Sequence, residues 1–171
     1  MSKIGRKPIE LGDVHVEVKG NEVHYKGKKA AGVYTVPAGF VLQVIDNELV
    51  VKAEAKTADI NRLWGLHRAL LANRIKGAHT GFEKQLRING LGFKAVASGT
   101  KLQFSLGFSH KIDVELPKGV TVDIDKTGQL LTFKSIDKDL LGQICSDIRG
   151  LRVPEPYKGT GIQYVNEVIL R

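Results

Sequence analysis

Only one cysteine, Cys145, occurs in the 171 residues, which excludes a disulfide framework and fits a reducing compartment. No apolar run approaches the roughly 18 residues that a membrane-spanning helix needs. The opening Met1-Ser2-Lys3-Ile4-Gly5-Arg6-Lys7-Pro8 has charge but no apolar stretch behind it, so it does not read as a signal peptide. A soluble, cytoplasmic protein is expected. Five histidines (His15, His24, His67, His79 and His110) show no metal-ligand spacing, and a lone cysteine cannot complete a site. Zinc-finger spacing, basic-region heptads and a helix-turn-helix are likewise missing.

Acid is scarce in one long stretch. Between Asp59 and Asp113 the single acid is Glu83, against nine bases: Arg62, Arg68, Arg74, Lys76, Lys84, Arg87, Lys94, Lys101 and Lys111. The chain carries +8 overall and has a pI near 9.6, and this window holds the whole excess, since the remainder balances at 17 bases and 17 acids. A solvated basic face is the ordinary outcome of such a run. Segregation this complete points instead to a polyanion, and to nucleic acid in particular. Aromatics stand beside bases at Phe93-Lys94 and Tyr157-Lys158, with Phe108 close to His110-Lys111. That pairing suits RNA backbones and unstacked bases better than a DNA major groove, although Phe93 and Phe108 could equally belong to a core.

What the chain does have is a repeat at an interval near 80 residues. Gly20–Gly27 matches Gly99–Gly107, Pro37-Ala38-Gly39 matches Pro117-Lys118-Gly119, and Leu63-Trp64-Gly65 matches Leu140-Leu141-Gly142. Within each copy, alternating residues such as Val14, Val16, Val18 and Val120, Val122, Ile124 have the period of half-buried strands. A helix follows in each. The first is expected to start at an Asp59 cap and stop at Gly77, and the second to bury Leu140, Leu141, Ile144, Cys145 and Ile148 and stop at Gly150. The fold class is therefore α+β: two tandem duplicated domains, residues 1–81 and 82–171, each an antiparallel β-sheet with one main helix.

Five prolines are few, yet Pro154 and Pro156 bracket a single residue near the C-terminus. The run Arg152-Val153-Pro154-Glu155-Pro156-Tyr157-Lys158-Gly159-Thr160-Gly161-Ile162 is expected to form a stiff extended strap, because the prolines fix φ and withhold backbone donors. An aromatic ring, a cation and two glycines then suit a phosphate-rich surface. A linker would need a domain after it, and only nine residues follow Ile162.

These residues resemble the ribosomal protein L6 family of the bacterial large subunit. The strap from Pro154 to Ile162 is similar to that family's signature. So are Ser2–Ile9, Gly81-Phe82-Glu83-Lys84, Leu91-Gly92-Phe93-Lys94-Ala95, Leu106-Gly107-Phe108-Ser109-His110, Ile136-Asp137-Lys138, Leu141-Gly142-Gln143 and Asp147-Ile148-Arg149. The resemblance implies two similar domains and a structural role. It implies binding to 23S rRNA, mainly through the second domain, near the stalk base and the factor-binding region, beside neighbouring large-subunit proteins. Carried over position by position, it implies RNA contacts at Phe93, Lys94, Ser109, His110, Lys111, Arg152, Pro156, Tyr157, Lys158 and Gly159. Arg62 and Arg68 are weaker candidates. Two departures stand out: Thr160 occupies a position usually held by lysine, and relatives usually continue past the equivalent of Arg171 into a short basic tail, so this copy is either truncated or without those contacts.

Other chemistry is not expected. Gly90-Leu91-Gly92-Phe93-Lys94-Ala95 fits a dinucleotide fingerprint, but that needs a helix to begin within it, and Ser98-Gly99-Thr100 turns the chain almost at once. There is no Walker lysine loop. Ser109, His110 and Asp113 lie too close along an extended segment to converge as a triad. Neither an enzyme nor a cofactor, a metal, a small-molecule substrate or a membrane partner is expected. The rival readings are an RNA-binding module acting off the ribosome and an enzyme using a cleft between the copies.

Overall fold

The computed structural model describes residues 2–54 and 58–169. It forms two compact units, Met1–Gly81 and Phe82–Arg171. In the first unit β1 is Ile9–Glu10, β2 His15–Lys19, β3 Glu22–Lys26, β4 Ala31–Thr35, β5 Phe40–Ile45 and β6 Glu48–Ala53, followed by α1, Ala58–His79. In the second, β7 is Phe82–Asn89, β8 Lys94–Ser98, β9 Lys101–Ser105, β10 Ile112–Glu115, β11 Val120–Ile124 and β12 Leu130–Ser135. Then come α2, Lys138–Leu151, and β13, Gly161–Tyr164. All nine strand pairings described are antiparallel.

Each unit has two sheets rather than one, and the two units share a plan. A meander β2-β3-β4 in the first corresponds to β8-β9-β10 in the second; a sheet β1-β6-β5 corresponds to β7-β12-β11, with β13 added on the outer edge of β7. The repeat in the sequence marks equivalent turns. Gly20 and Gly99 close the β2–β3 and β8–β9 hairpins at φ 61° and 63°, a left-handed conformation that glycine adopts without Cβ strain. Alternating burial along β2 and β11 follows from one face meeting a core and the other solvent.

The cores are separate. The first gathers Ile9, Leu11, Val23, Val36, Leu49, Val51, Leu71 and Ile75, with Trp64 packed against them. The second gathers Leu86, Ile88, Leu102, Phe104, Leu131, Phe133, Leu141, Cys145, Ile148 and Ile162. Asp137 caps α2, its side chain accepting from the Asp139 N–H at 3.0 Å.

Several local expectations need correction. Asp59 lies inside α1 rather than before it, and the position of a cap there falls outside the described residues. Gly77 does not end α1, which runs on to His79 because the Lys29 N–H donates to the Ala78 carbonyl at 2.9 Å and satisfies a C-terminal carbonyl. Gly150 likewise lies inside α2, since Leu151 still packs on the core. The strap does not stay extended. The Glu155 N–H donates to the Thr160 carbonyl and the Gly159 N–H to the Glu155 carbonyl, at 3.0 and 2.9 Å, so the chain closes a loop. Gly161 and Ile162 then enter β13.

Candidate nucleic-acid interface

Antiparallel pairing puts three connections of the second unit at one end. Lys94 pairs with Ser105, so the β7–β8 loop (90–93) and the β9–β10 loop (106–111) emerge side by side. Gly161 pairs with Asn89, the last residue of β7, so the loop from α2 to β13 leaves from that same end. Residues distant in sequence therefore meet, without any single segment having to encode the site.

Arg152 is the hub. Its Nη1–H donates to the carbonyl of Leu106, and its guanidinium carbon lies 4.9 Å from the centroid of the Phe93 ring and 5.2 Å from that of Phe108. Ring faces carry negative quadrupole charge, so both contacts favour the planar cation. The Phe108 and His110 rings stack in turn, with centroids 6.4 Å apart and planes at 28°. Phe93 is half-buried and packs against the core, whereas Phe108 is exposed. Each sequence alternative thus describes one of the two rings.

The closed loop carries the rest. Tyr157, at its tip, is 85% exposed, and no hydrogen bond holds its hydroxyl among the described residues. Pro156 and Lys158 are exposed beside it. Lys158 and Gly159 border a cleft of about 280 Å³ together with Asn89 and Gln163. Thr160 turns inward: its hydroxyl donates to a Glu155 carboxylate oxygen at 3.1 Å. That bond braces the loop where a lysine would extend outward.

Lys94, Ser109 and His110 are exposed at the same end. Lys111 is exposed too, but its Nζ–H donates to Gln103 Oε1 at 3.1 Å, and Gln103 Nε2–H donates onward to Asp113 at 3.0 Å. Of the other bases in the acid-poor window, Lys101 pairs with Glu115 at 2.8 Å across the β9–β10 ladder. The Glu115 carboxyl is held below its ordinary range by this bond. Arg62 is exposed, while Arg68 donates to main-chain carbonyls of the first unit.

Beneath this end the turn after β13 is held by Arg149, which forms a two-pronged ion pair with Glu167, while Glu167 also accepts the Tyr164 N–H at 3.1 Å. Sequence reading singled out neither Glu167 nor the hub role of Arg152; both depend on partners 18 and 46 residues away. Leu91 was also passed over as a contact, yet it is wholly exposed in the loop beside Phe93.

Nothing in this arrangement supplies a reacting centre. Among the described residues no group of three or more His, Cys, Asp or Glu could hold a metal ion, and no helix is long and apolar enough to cross a membrane. His67 accepts or donates one hydrogen bond with the Tyr34 hydroxyl at 2.8 Å and contacts the Phe40 ring, a packing role. Cys145 is buried, and burial pushes its thiol up to about 11, far from a nucleophile at neutral pH.

Comparison with known proteins agrees in register with this site. The profile of the family described as Ribosomal protein L6 matches residues 89–165, which include all three loops. Large ribosomal subunit protein uL6 of Methylacidiphilum infernorum (isolate V4) is 43% identical over 172 aligned positions, covering 100% of this chain and 96% of its own length. The uL6 protein of Syntrophomonas wolfei subsp. wolfei is 44% identical with the same coverage. That of Bifidobacterium animalis subsp. lactis is 42% identical, covering 99% of this chain and 95% of its own length.

Proposed function

The chain belongs to the ribosomal protein L6 family, and from that premise we propose that it is a structural constituent of the large ribosomal subunit that binds 23S rRNA mainly through its second unit. Its place is near the stalk base and the factor-binding region, beside neighbouring subunit proteins, and hence on the ribosome in the cytoplasm. It is not an enzyme. One observation carries the RNA reading: at a single end of the second unit, Arg152 is held between two aromatic rings while Tyr157 and Lys158 stand out on a braced loop with no internal partner.

Each part has a physical task. Lys94, Lys111 and Lys158 neutralise phosphates, and releasing the counterions of those phosphates drives binding. Tyr157 offers a face on which a base or ribose stacks. Gly159 lets the backbone approach, and Pro156 keeps the loop from collapsing. Phe93, Phe108, Ser109, His110 and Arg152 form the floor between them. The family's work is scaffolding: rigid loops hold RNA helices in one arrangement.

The test is affinity for 23S rRNA across a salt series. If five or six cations meet phosphates, log affinity falls against log salt with a slope of roughly −4 to −5. Replacing Tyr157 and Lys158 together by alanine weakens binding by about 1–3 kcal/mol from stacking alone and flattens that slope by about one. A slope near zero, or full affinity in the double variant, overturns the reading.

A further inference from the structure

The first unit has a basic strip of its own, and it is not a loose tail. The main chain at Gly5 lies flat on the Trp64 indole: a Cβ there would sit 2.6 Å from the ring, so no other residue fits without displacing it. The Ser2 hydroxyl accepts the Gly5 N–H at 3.1 Å, and the Lys7 N–H donates to the Ile4 carbonyl at 3.2 Å. Arg68 on α1 then donates from Nε to the Lys7 carbonyl and from Nη2 to the Pro8 carbonyl, at 3.0 and 2.6 Å. Residues 2–8 are thereby fastened along α1 by their backbone.

Fastening by the backbone leaves the side chains outside. Lys3, Arg6 and Lys7 are all exposed, with exposed Arg62 on the adjoining helix, and residues 2–8 contain no acid. Past Pro8 the strip meets a cleft of about 480 Å³ bordered by Arg68, Lys76 and His79, where Glu10 is the one carboxylate in the lining. Cations already fixed in a row lose little freedom when a partner arrives. Ile4 and Leu66 are exposed on the same strip, but the centre of a protein interface is depleted of charge, and here cations occupy it.

We propose that residues 2–8, held on α1, form a second RNA contact, in which a phosphodiester backbone runs along Lys3, Arg6 and Lys7 toward the cleft at Lys76. The inference rests on the chain being a 23S rRNA binder, and it adds a contact independent of the second unit.

Two measurements on the full-length chain test it. Cys145 is buried and its thiol poorly ionised, so an introduced cysteine is the one that reacts. Chains with Lys7→Cys or Lys158→Cys, each tethered to an iron chelate and assembled into large subunits, report nearby RNA by local strand cleavage. The expected result is 23S rRNA cuts from position 7 at sites different from those made from position 158. In parallel, replacing Lys3 and Lys7 together by alanine lowers the magnitude of the salt slope by about 1.5–2. Cleavage from position 7 confined to a neighbouring protein, or a slope unchanged in the double variant, overturns the second contact and leaves the second-unit reading intact. If position 158 also cuts no RNA, both fail.

Discussion

Arg152 shows how much one side chain does when its shape suits several neighbours at once. A lysine could supply the charge, but not a planar face for both Phe93 and Phe108 together with an N–H aimed at the Leu106 carbonyl. Arg152→Ala leaves that carbonyl without its charged donor, and a loss of about 1–3 kcal/mol from the second unit is expected in urea unfolding. Arg152→Lys recovers little of it. A variant as stable as the parent would show that the guanidinium is only resting there. Three further residues set the response to alkali. Burial raises Tyr34, Tyr164 and above all Cys145, whose thiol is pushed from an ordinary value of 9.0 to about 11. In each case the folded chain keeps its proton to higher pH than the unfolded chain. Their contribution is therefore full below about pH 9 and is lost as pH rises toward 11. The urea midpoint followed from pH 7 to 11 checks this, and Cys145→Ala removes part of the decline.

The element that separates the two halves is the connection from α2 to β13. In the first unit the sheet ends with β1 on one side, whereas in the second an extra strand joins the outer edge of β7 and brings the braced loop with it. Gly161 makes that return possible. At φ 139° it has a Cβ position only 2.8 Å from the Arg152 and Val153 carbonyl oxygens and the Pro154 Cα. Gly161→Ala therefore forces backbone apart in a conformation L-residues rarely adopt, and at least about 1–3 kcal/mol is expected from the strain alone. Thermal unfolding measures it; a melting point unchanged by the substitution would mean the loop relaxes freely. The sequence made the repeat legible because equivalent hairpins need equivalent turn residues, as at Gly20 and Gly99. It made α2 legible because Leu141, Ile144, Cys145 and Ile148 fall on one face. It did not reveal the path of the proline loop. Prolines set φ at their own positions, but the bond from Glu155 to Thr160 decides where the chain goes between them. Nor could it join Phe93, Phe108 and Arg152, whose meeting follows from strand register and not from spacing.

At the scale of the molecule the decisive fact is that burial is partitioned. Ile9 through Ile75 supply one core and Leu86 through Ile162 the other, and neither cluster borrows a side chain from the other unit. Burial of apolar surface is the dominant favourable term in folding, so each unit carries its own share of the driving force. Units of 81 and 90 residues (Met1–Gly81 and Phe82–Arg171) are each large enough to melt cooperatively, with enthalpies of about 55–65 kcal/mol apiece at about 0.7 kcal/mol per residue. Calorimetry of the whole chain is accordingly expected to resolve two transitions. Arg152→Ala and Gly161→Ala should lower only one of them, because every contact they remove lies after residue 81. Lys3→Ala with Lys7→Ala should move neither, since exposed ammonium groups held by no internal partner contribute little to stability. A single transition that shifts with all three changes would mean the units are energetically fused. The salt dependence of RNA binding would then have to be read as the property of one surface and not two.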